Sequence, residues 1–339
     1  MEPDDEISPV KFSEEHPELH HYTDFAGLNG IIESNTLWAT HFLHLNDSTE
    51  VTLLKRPLTD LLVSRALEAN SDMARNTSRQ TRRALLSGRN LHGVRCVTTA
   101  FVNSLFGAAF DAQSIEALAE PYITSFCAHT GKQSYERQNG LLSQWRAYGG
   151  DESQRYCIVF DTLGIRKLLE QEWASYYWTY MYLDEVFYDG PSVKVNDLFP
   201  DLLKYSEEAI VRVIQGGGID ISREAIVALL AGAPWFKHQG FSEEQEARIV
   251  AIPGKKDMAD RIALENASAS LGPLKTIYGA EQDTATRPHI ALFDGLKANL
   301  PIKRVIVGPS RHQKENLARA RAVVGGGLLL HPSETPFIG

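Results

Sequence analysis

Two extended runs frame one short helical run near the start of the chain, and that order restricts the fold more than any other feature. LHHYT (Leu19 to Thr23) and TLWATH (Thr36 to His41) have strand character. Between them, AGLNGIIES places Leu28, Ile31 and Ile32 at helical spacing. Similar pieces recur to the end of the chain. YITSFCA, RYCIVFD, EQEARIVAIP, HIALFD, KRVIVGPS and GLLLHPSE read as strands, and LGIRKLLEQE and QKENLARARAVV as helices. WTYMYLDEVFYD reads as one long strand or a hairpin. Residues 201 to 236 read as helical, broken by Gly216 to Gly218. Strands and helices mixed in this way predict an α+β fold. The expected layout is a single domain over 18–339 with a helical insertion at about 190–236, preceded by a flexible segment over 1–17. LNDSTE supplies an N-cap at Asp47 or Ser48, and the helix after it should kink or restart at Pro57.

Composition is that of an ordinary globular chain, with 43% hydrophobic and 23% charged residues among 339. No run of eighteen apolar residues stands out, and the acidic start lacks the pattern of a signal peptide, so a cytoplasmic protein with no membrane partner is expected. Cys96, Cys127 and Cys157 lie in apolar, strand-like runs and read as buried free thiols. The net charge of −9 argues against nucleic acid binding over the whole surface. One segment differs. From Arg75 to Arg95 the chain carries Arg75, Arg79, Arg82, Arg83, Arg89 and Arg95 and no acid. It is either a patch for an anionic partner or a solvated helix and loop, the commoner case.

Several side chains are candidates for chemistry. Strand alternation puts His21 and Thr23 on one face of the first run and His20 and Tyr22 on the other. His41, His44 and Asp47 suggest a metal, but their spacing suits one face only in a helix, and the run reads as extended; no metal site is assigned. In the late strand, an extended Glu244 to Ile252 places Glu244, Glu246 and Arg248 on one face. Paired carboxylates suit chemistry at a sugar carbon, where positive charge develops. The plainer reading is a solvated face of an amphipathic strand. Trp145 and Tyr148 could stack a ring with Arg146 holding a phosphate, or simply face a core. No P-loop, dinucleotide fingerprint or nucleophile elbow is present.

The chain resembles the bacterial family known as domain of unknown function 2971. The matching pieces are His21-Tyr22-Thr23, Leu37-Trp38-Ala39-Thr40, Leu45-Asn46-Asp47 with Glu50, Thr124-Ser125-Phe126, and Gln144-Trp145-Arg146-Ala147-Tyr148. Cys157 to Asp161, Phe241 with Glu244, Glu246, Arg248 and Val250, and Ile306 to Ser310 also match. A more distant resemblance is to ADP-ribosyltransferase-like proteins, which carry H-x-T in the first strand and a glutamate, sometimes E-x-E, in a late one. That resemblance implies a mixed, split β-sheet core flanked by helices. It implies NAD as substrate, with His21 on the adenosine-side ribose and the Tyr22 backbone on the nicotinamide amide. Thr23 completes the motif and Ser125 supports the middle strand. Glu246 would stabilise the developing cation and Glu244 would orient or deprotonate the acceptor, an unknown protein or nucleic acid. The sequence departs from the common motif at Tyr22, where glycine is usual. An enzyme or toxin of this kind is therefore the first expectation. The others are a nucleic-acid-binding or -processing factor, as in phage defence, acting through Arg75–Arg95, and a non-catalytic interaction protein.

Overall fold

The structure, a computed structural model, describes residues 9–45, 53–110, 120–129, 135–147, 154–188, 200–215, 217–265, 271–279 and 287–336. The chain forms two compact units. The first comprises Met1–His44, Tyr122–Val186 and Gly240–Gly339, and the second Leu45–Pro121 and Phe187–Gln239. The stretch read as a helical insertion thus falls in the second unit, together with residues 45–121.

The elements of the first unit begin with α1 (Pro9–Glu15), β1 (Glu18–Thr23), α2 (Phe25–Ser34) and β2 (Leu37–His41). In the second unit follow α3 (Lys55–Arg75), α4 (Arg79–Leu85) and α5 (Gly88–Phe110). The chain returns to the first unit with β3 (Tyr122–Cys127), α6 (Tyr135–Asn139), α7 (Leu142–Ala147), β4 (Tyr156–Asp161), α8 (Thr162–Ser175) and β5 (Trp178–Glu185). The second unit is completed by β6 (Phe187–Tyr188), α9 (Pro200–Ile214), α10 (Arg223–Gly232) and β7 (Phe236–Lys237). Last come β8 (Glu246–Pro253), α11 (Lys256–Glu265), β9 (Ile277–Tyr278), β10 (His289–Leu292), β11 (Ile302–Val307), α12 (Gln313–Val324) and β12 (Leu329–Pro332).

Among the described residues the first unit builds one ten-stranded, mostly antiparallel open sheet flanked by helices, ordered β12-β11-β4-β1-β3-β2-β10-β9. β8 pairs with β3 and β5. β5 ends at Glu185, and its partner in the sheet is β8 and not the following strand β6. β8 lies along all of β3, from Tyr122↔Ala251 to Cys127↔Glu246. A strand has two edges, so β1 and β2 must share the other. β1 meets it at His20↔Cys127, and β2 at Thr40↔Ile123 and His41↔Tyr122. The sheet splits between those points.

Alternation sorts the sheet's side chains onto two sides. On one, Leu19, Phe126, Ile158, Phe160, Ala247 and Ile249 form a core with Phe12 of α1, Leu28 of α2, Ile165 of α8 and Ala320 of α12. Each fully buried Leu, Ile or Phe there contributes about 1.5–3 kcal/mol. On the other, Tyr22, Cys127, Cys157, Val159 and Ile306 pack around Trp145 of α7. Residues 9–15 are helical and Phe12 is buried, so this part of the expected flexible lead-in is ordered by an apolar anchor. α2 starts at Asp24, whose carboxylate accepts from Gly27 N at 2.8 Å. It ends at Asn35, left-handed at φ 55, whose side chain clamps Ala298 O and Leu300 N, each at 2.9 Å.

In the second unit α3, α5, α9 and α10 pack on one another. α3 starts at Lys55 with Pro57 in its first turn, where a missing N–H costs nothing. It buries Leu58, Leu62, Ala66, Asn70 and Ala74, one residue per turn. α5 contains the run around Cys96 that reads as a strand. It is a helix because Val94, Thr98, Phe101, Val102 and Leu105 give it a buried helical stripe, and this packing overrides the β-branched residues. Cys96 lies outside that stripe and is exposed, unlike Cys127 and Cys157. By length and composition α5 is also apolar enough to cross a membrane.

The start of β1 is fixed by charge. Buried Glu18 accepts from Arg137 Nε at 2.8 Å and from Arg304 Nη1 and Nη2 at 2.8 and 2.9 Å, and pairs with Lys303 Nζ at 2.9 Å. Two adjacent β11 residues reach one carboxylate because the β11–β4 register shifts between Ile302 and Arg304. Burial pushes the Glu18 pKa up, but bonds from Arg304, Arg137 and Lys303 outweigh it and hold the carboxyl far below the usual range. A depressed folded pKa adds stability above the unfolded value, about 4.3, and the stability is lost as pH falls toward the folded one. Glu18→Gln is expected to cost about 3–5 kcal/mol at pH 7, because three cations lose their counterion. In urea unfolding the gap between wild type and variant should narrow steadily from pH 4.5 downward.

Candidate functional site

The split in the sheet decides where the polar side chains go. Among the described residues no strand pairs with Thr124 to Phe126 on the shared edge of β3. Buried main-chain groups need partners, and two side chains serve. Thr124 Oγ1 donates to Trp38 O across the split at 2.9 Å. His21 Nδ1 lies 3.0 Å from Ser125 O. A carbonyl only accepts, so Nδ1 carries the proton. Burial lowers the His21 pKa, with the Ser125 bond opposing it, so the ring is neutral at pH 7. Nε2 is then a lone-pair acceptor. It has no hydrogen-bond partner among the described residues, and the half-buried ring tilts against Phe126 at 5.7 Å. Thr23, two residues on, shares this side of β1 and is half-buried.

Tyr22 points the other way. Its hydroxyl lies 2.9 Å from His129 Nε2 and accepts from Leu141 N at 2.7 Å. Burial pushes the phenol well above its usual pKa and holds His129 down at about 4, so the neutral phenol donates to a neutral ring. His129 has a φ of 37, a left-handed backbone unusual for histidine. His20, also fully buried, bonds Arg137 O through Nε2 at 3.0 Å and meets the His129 ring edge-on at 4.5 Å. His20, Cys127 and Glu246 are in register across β1, β3 and β8.

Glu246 and Arg248 follow on the same side of β8. Arg248 Nε donates to Glu246 Oε1 at 2.7 Å and Nη2 to Oε2 at 3.1 Å, with both side chains at most 4% exposed. Ser125, half-buried, is in register with Arg248.

Three expectations change. First, His21 pairs with Ile158, in the core under α2, whereas Glu246 pairs with Cys127, in the cluster around Trp145. Side chains alternate along strands, so His21 and Glu246 lie on opposite sides of the sheet and do not converge. Second, Glu244 shares no strand face with Glu246. It ends a 3-10 turn over Gln239–Glu244, and Gln245 at φ 44 breaks the extended run before β8. Nor is Glu246 on a solvated face. Third, Trp145 is fully buried, with Nε1 donating to Asn139 O at 2.9 Å and its ring 4.9 Å from Tyr22. A Cβ at Gly140, φ 76, would lie 2.4 Å from that ring. Trp145 is core and has no open face for a ligand. Arg146 is exposed. Asn46, Asp47, Glu50 and Tyr148 lie outside the described residues.

Sequence reasoning passed over Glu18, His129 and Arg137, whose roles depend on partners far along the chain. It also missed Trp38, 59% exposed and stacked on His289 at 4.1 Å. An aromatic at an outward position of the second strand was the available signal. The Glu246–Arg248 fork gives a direct test. Arg248→Leu is expected to cost about 3–5 kcal/mol by removing the guanidinium fork from a buried carboxylate. Adding Glu246→Leu should recover much of that loss, and the coupling can be read from a double-mutant cycle in chemical denaturation.

Comparison with known proteins adds one finding. No curated protein and no solved structure matches the chain. The quoted pieces from Gln144 to Arg248 fall within a segment that a family model covers, and those near His21, Ser125 and Ile306 fall outside it. Residues 144–249 match the family described as "Protein of unknown function (DUF2971)", which supports kinship over that segment.

Proposed function

We propose that the chain recognises a nucleotide at the split between β1 and β2, with NAD as the ligand. One observation carries this reading: His21 spends Nδ1–H on the Ser125 carbonyl, and so keeps Nε2 as an acceptor with no partner among the described residues. A ribose hydroxyl is a donor of the matching kind. The resemblance to ADP-ribosyltransferase-like proteins gives the same histidine the same partner, the adenosine-side ribose. It also gives the Tyr22 backbone to the nicotinamide amide. The Tyr22 side chain, tied to His129 and Leu141, lies on the side of β1 opposite His21.

Transfer of ADP-ribose is the chemical form of this proposal. The C1′–nitrogen bond breaks, nicotinamide leaves with the electron pair, and an acceptor nucleophile bonds to C1′ and loses its proton. Glu246 is a poor charge stabiliser for that step as it stands. It faces away from His21, and Arg248 already neutralises it. Recognition by His21 and chemistry by Glu246 are therefore separable.

The test pairs NAD-dependent thermal stabilisation with nicotinamide release for wild type, His21→Ala and Glu246→Gln. A stabilisation abolished in His21→Ala and kept in Glu246→Gln is the expected result. Release of nicotinamide that falls about a hundredfold in Glu246→Gln would restore the carboxylate mechanism and require β8 to rearrange. Neither stabilisation nor release in wild type would discard NAD.

A further inference from the structure

The end of α3, α4 and α5 carry the six arginines, Arg75 on α3 and the other five on α4 and α5, and the structure separates them by task. Arg82 is structural: Nε donates to Ala74 O and Nη2 to Arg75 O, both at 2.9 Å, which closes the C-terminus of α3. Arg75 pairs with Asp72 at 3.0 Å. The turn is fixed from below by buried Asn70, which donates to Leu85 O at 3.0 Å and accepts from Asn90 at 3.1 Å. Arg79, Arg83, Arg89 and Arg95 remain. All four are exposed, and none forms an ion pair among the described residues. Arg79 and Arg83 are one helical turn apart, a like-charge spacing that disfavours the helix. A bound anion would reverse the sign of that interaction.

The surroundings point to the kind of anion. No acid and no lysine occurs from Met73 to Phe110. The exposed side of α5 continues from Arg89 through His92, Arg95, Cys96 and Thr99 to Asn103. These are hydrogen-bonding groups, without the large apolar anchors with which a helix enters a membrane surface. The outer side of α3 differs: Asp60, Glu68 and Asp72 are exposed there together with Arg56 and Arg75. Acids therefore accompany the arginines on α3 and are absent from α4 and α5. Guanidinium forks match phosphate oxygens better than lysine does. Arg89 and Arg95 are separated by roughly 9 Å of helix rise, from six residues at 1.5 Å each.

We propose that the exposed face of α4 and α5, with Arg79, Arg83, Arg89 and Arg95, binds the phosphodiester backbone of a nucleic acid. The site is sequence-independent, and it stands whether or not His21 recognises NAD. Four contacts with a duplex predict a slope of roughly −3.6 in log K against log salt, from about −0.9 per phosphate.

The experiment is fluorescence anisotropy with labelled single- and double-stranded DNA and RNA oligonucleotides from 50 to 200 mM salt. It compares wild type, R79Q/R83Q/R89Q/R95Q, and D60N/E68Q as a surface control, all checked for helix content. Phosphatidylserine vesicles form a parallel arm. The expected result is salt-sensitive binding to at least one oligonucleotide class. The arginine variant should bind at least tenfold more weakly at 50 mM salt, with a slope at least two units shallower. D60N/E68Q should bind no more weakly than wild type. Binding to vesicles alone, an unchanged slope in the arginine variant, or no binding to any oligonucleotide at 50 mM salt would overturn the proposal.

Discussion

Two strands claim one edge of β3, and neither can have all of it. β8 occupies the opposite edge along the whole strand, so β1 and β2 divide what is left between Cys127 and Ile123. The main chain between those points still needs partners. A fold could meet the need with a bulge or another strand. Here side chains do it, Thr124 toward Trp38 and His21 toward Ser125. Bridging in this way fixes the histidine's tautomer. The nitrogen used for the fold determines that the other is an acceptor. Structural demand and ligand capacity thus reside in one imidazole.

The same alternation that defines the split also limits what can act together. β1 turns His21 toward the core under α2 and Tyr22 toward Trp145. β8 turns Glu246 and Arg248 to the Trp145 side. A shift of one residue in either strand would reverse a whole face, and a core as filled as this one fixes both registers. The polar groups on the Trp145 side are largely engaged with one another. Glu18 is held by three cations, Tyr22 by His129 and Leu141, and Glu246 by Arg248. Such a network specifies geometry more than it adds stability, because each buried charge costs desolvation.

Strands with a strong apolar pattern were legible in the sequence. LHHYT, YITSFCA and RYCIVFD became β1, β3 and β4 within a residue or two. Local composition failed where distant contacts decide. The β-branched run around Cys96 became helical because its buried stripe packs at a helical period. The E-x-E pattern implied a continuous strand, and one left-handed residue, Gln245, ended it. Glu18 pairs with Arg137 and Arg304 across 119 and 286 positions, which no short window can reveal. The side of the sheet that each candidate occupies was legible within a strand. The relation between strands was not, since it depends on register. That is why His21 and Glu246 could be assigned correctly to their strands and wrongly to one cleft.

A net charge of −9 and a basic face are compatible for a reason of scale. Screening at physiological salt limits the reach of exposed charges to about 8 Å. Within that distance Arg89 and Arg95 meet neighbours on their own helix, where no acid occurs. The acids that set the net charge act on other surfaces, among them the outer side of α3. Whole-chain charge therefore governs solubility and approach at long range, while the face of α4 and α5 governs contact. The tip that presents those arginines is held by Asn70, Asn90 and Arg82 through bonds to main-chain carbonyls and to one another. Neutral and charged donors on carbonyls hold the turn, so the exposed guanidiniums are not consumed in holding it. The basic segment in the sequence is one patch, and the structure resolves it into a structural arginine, a paired one and four that remain open to solvent.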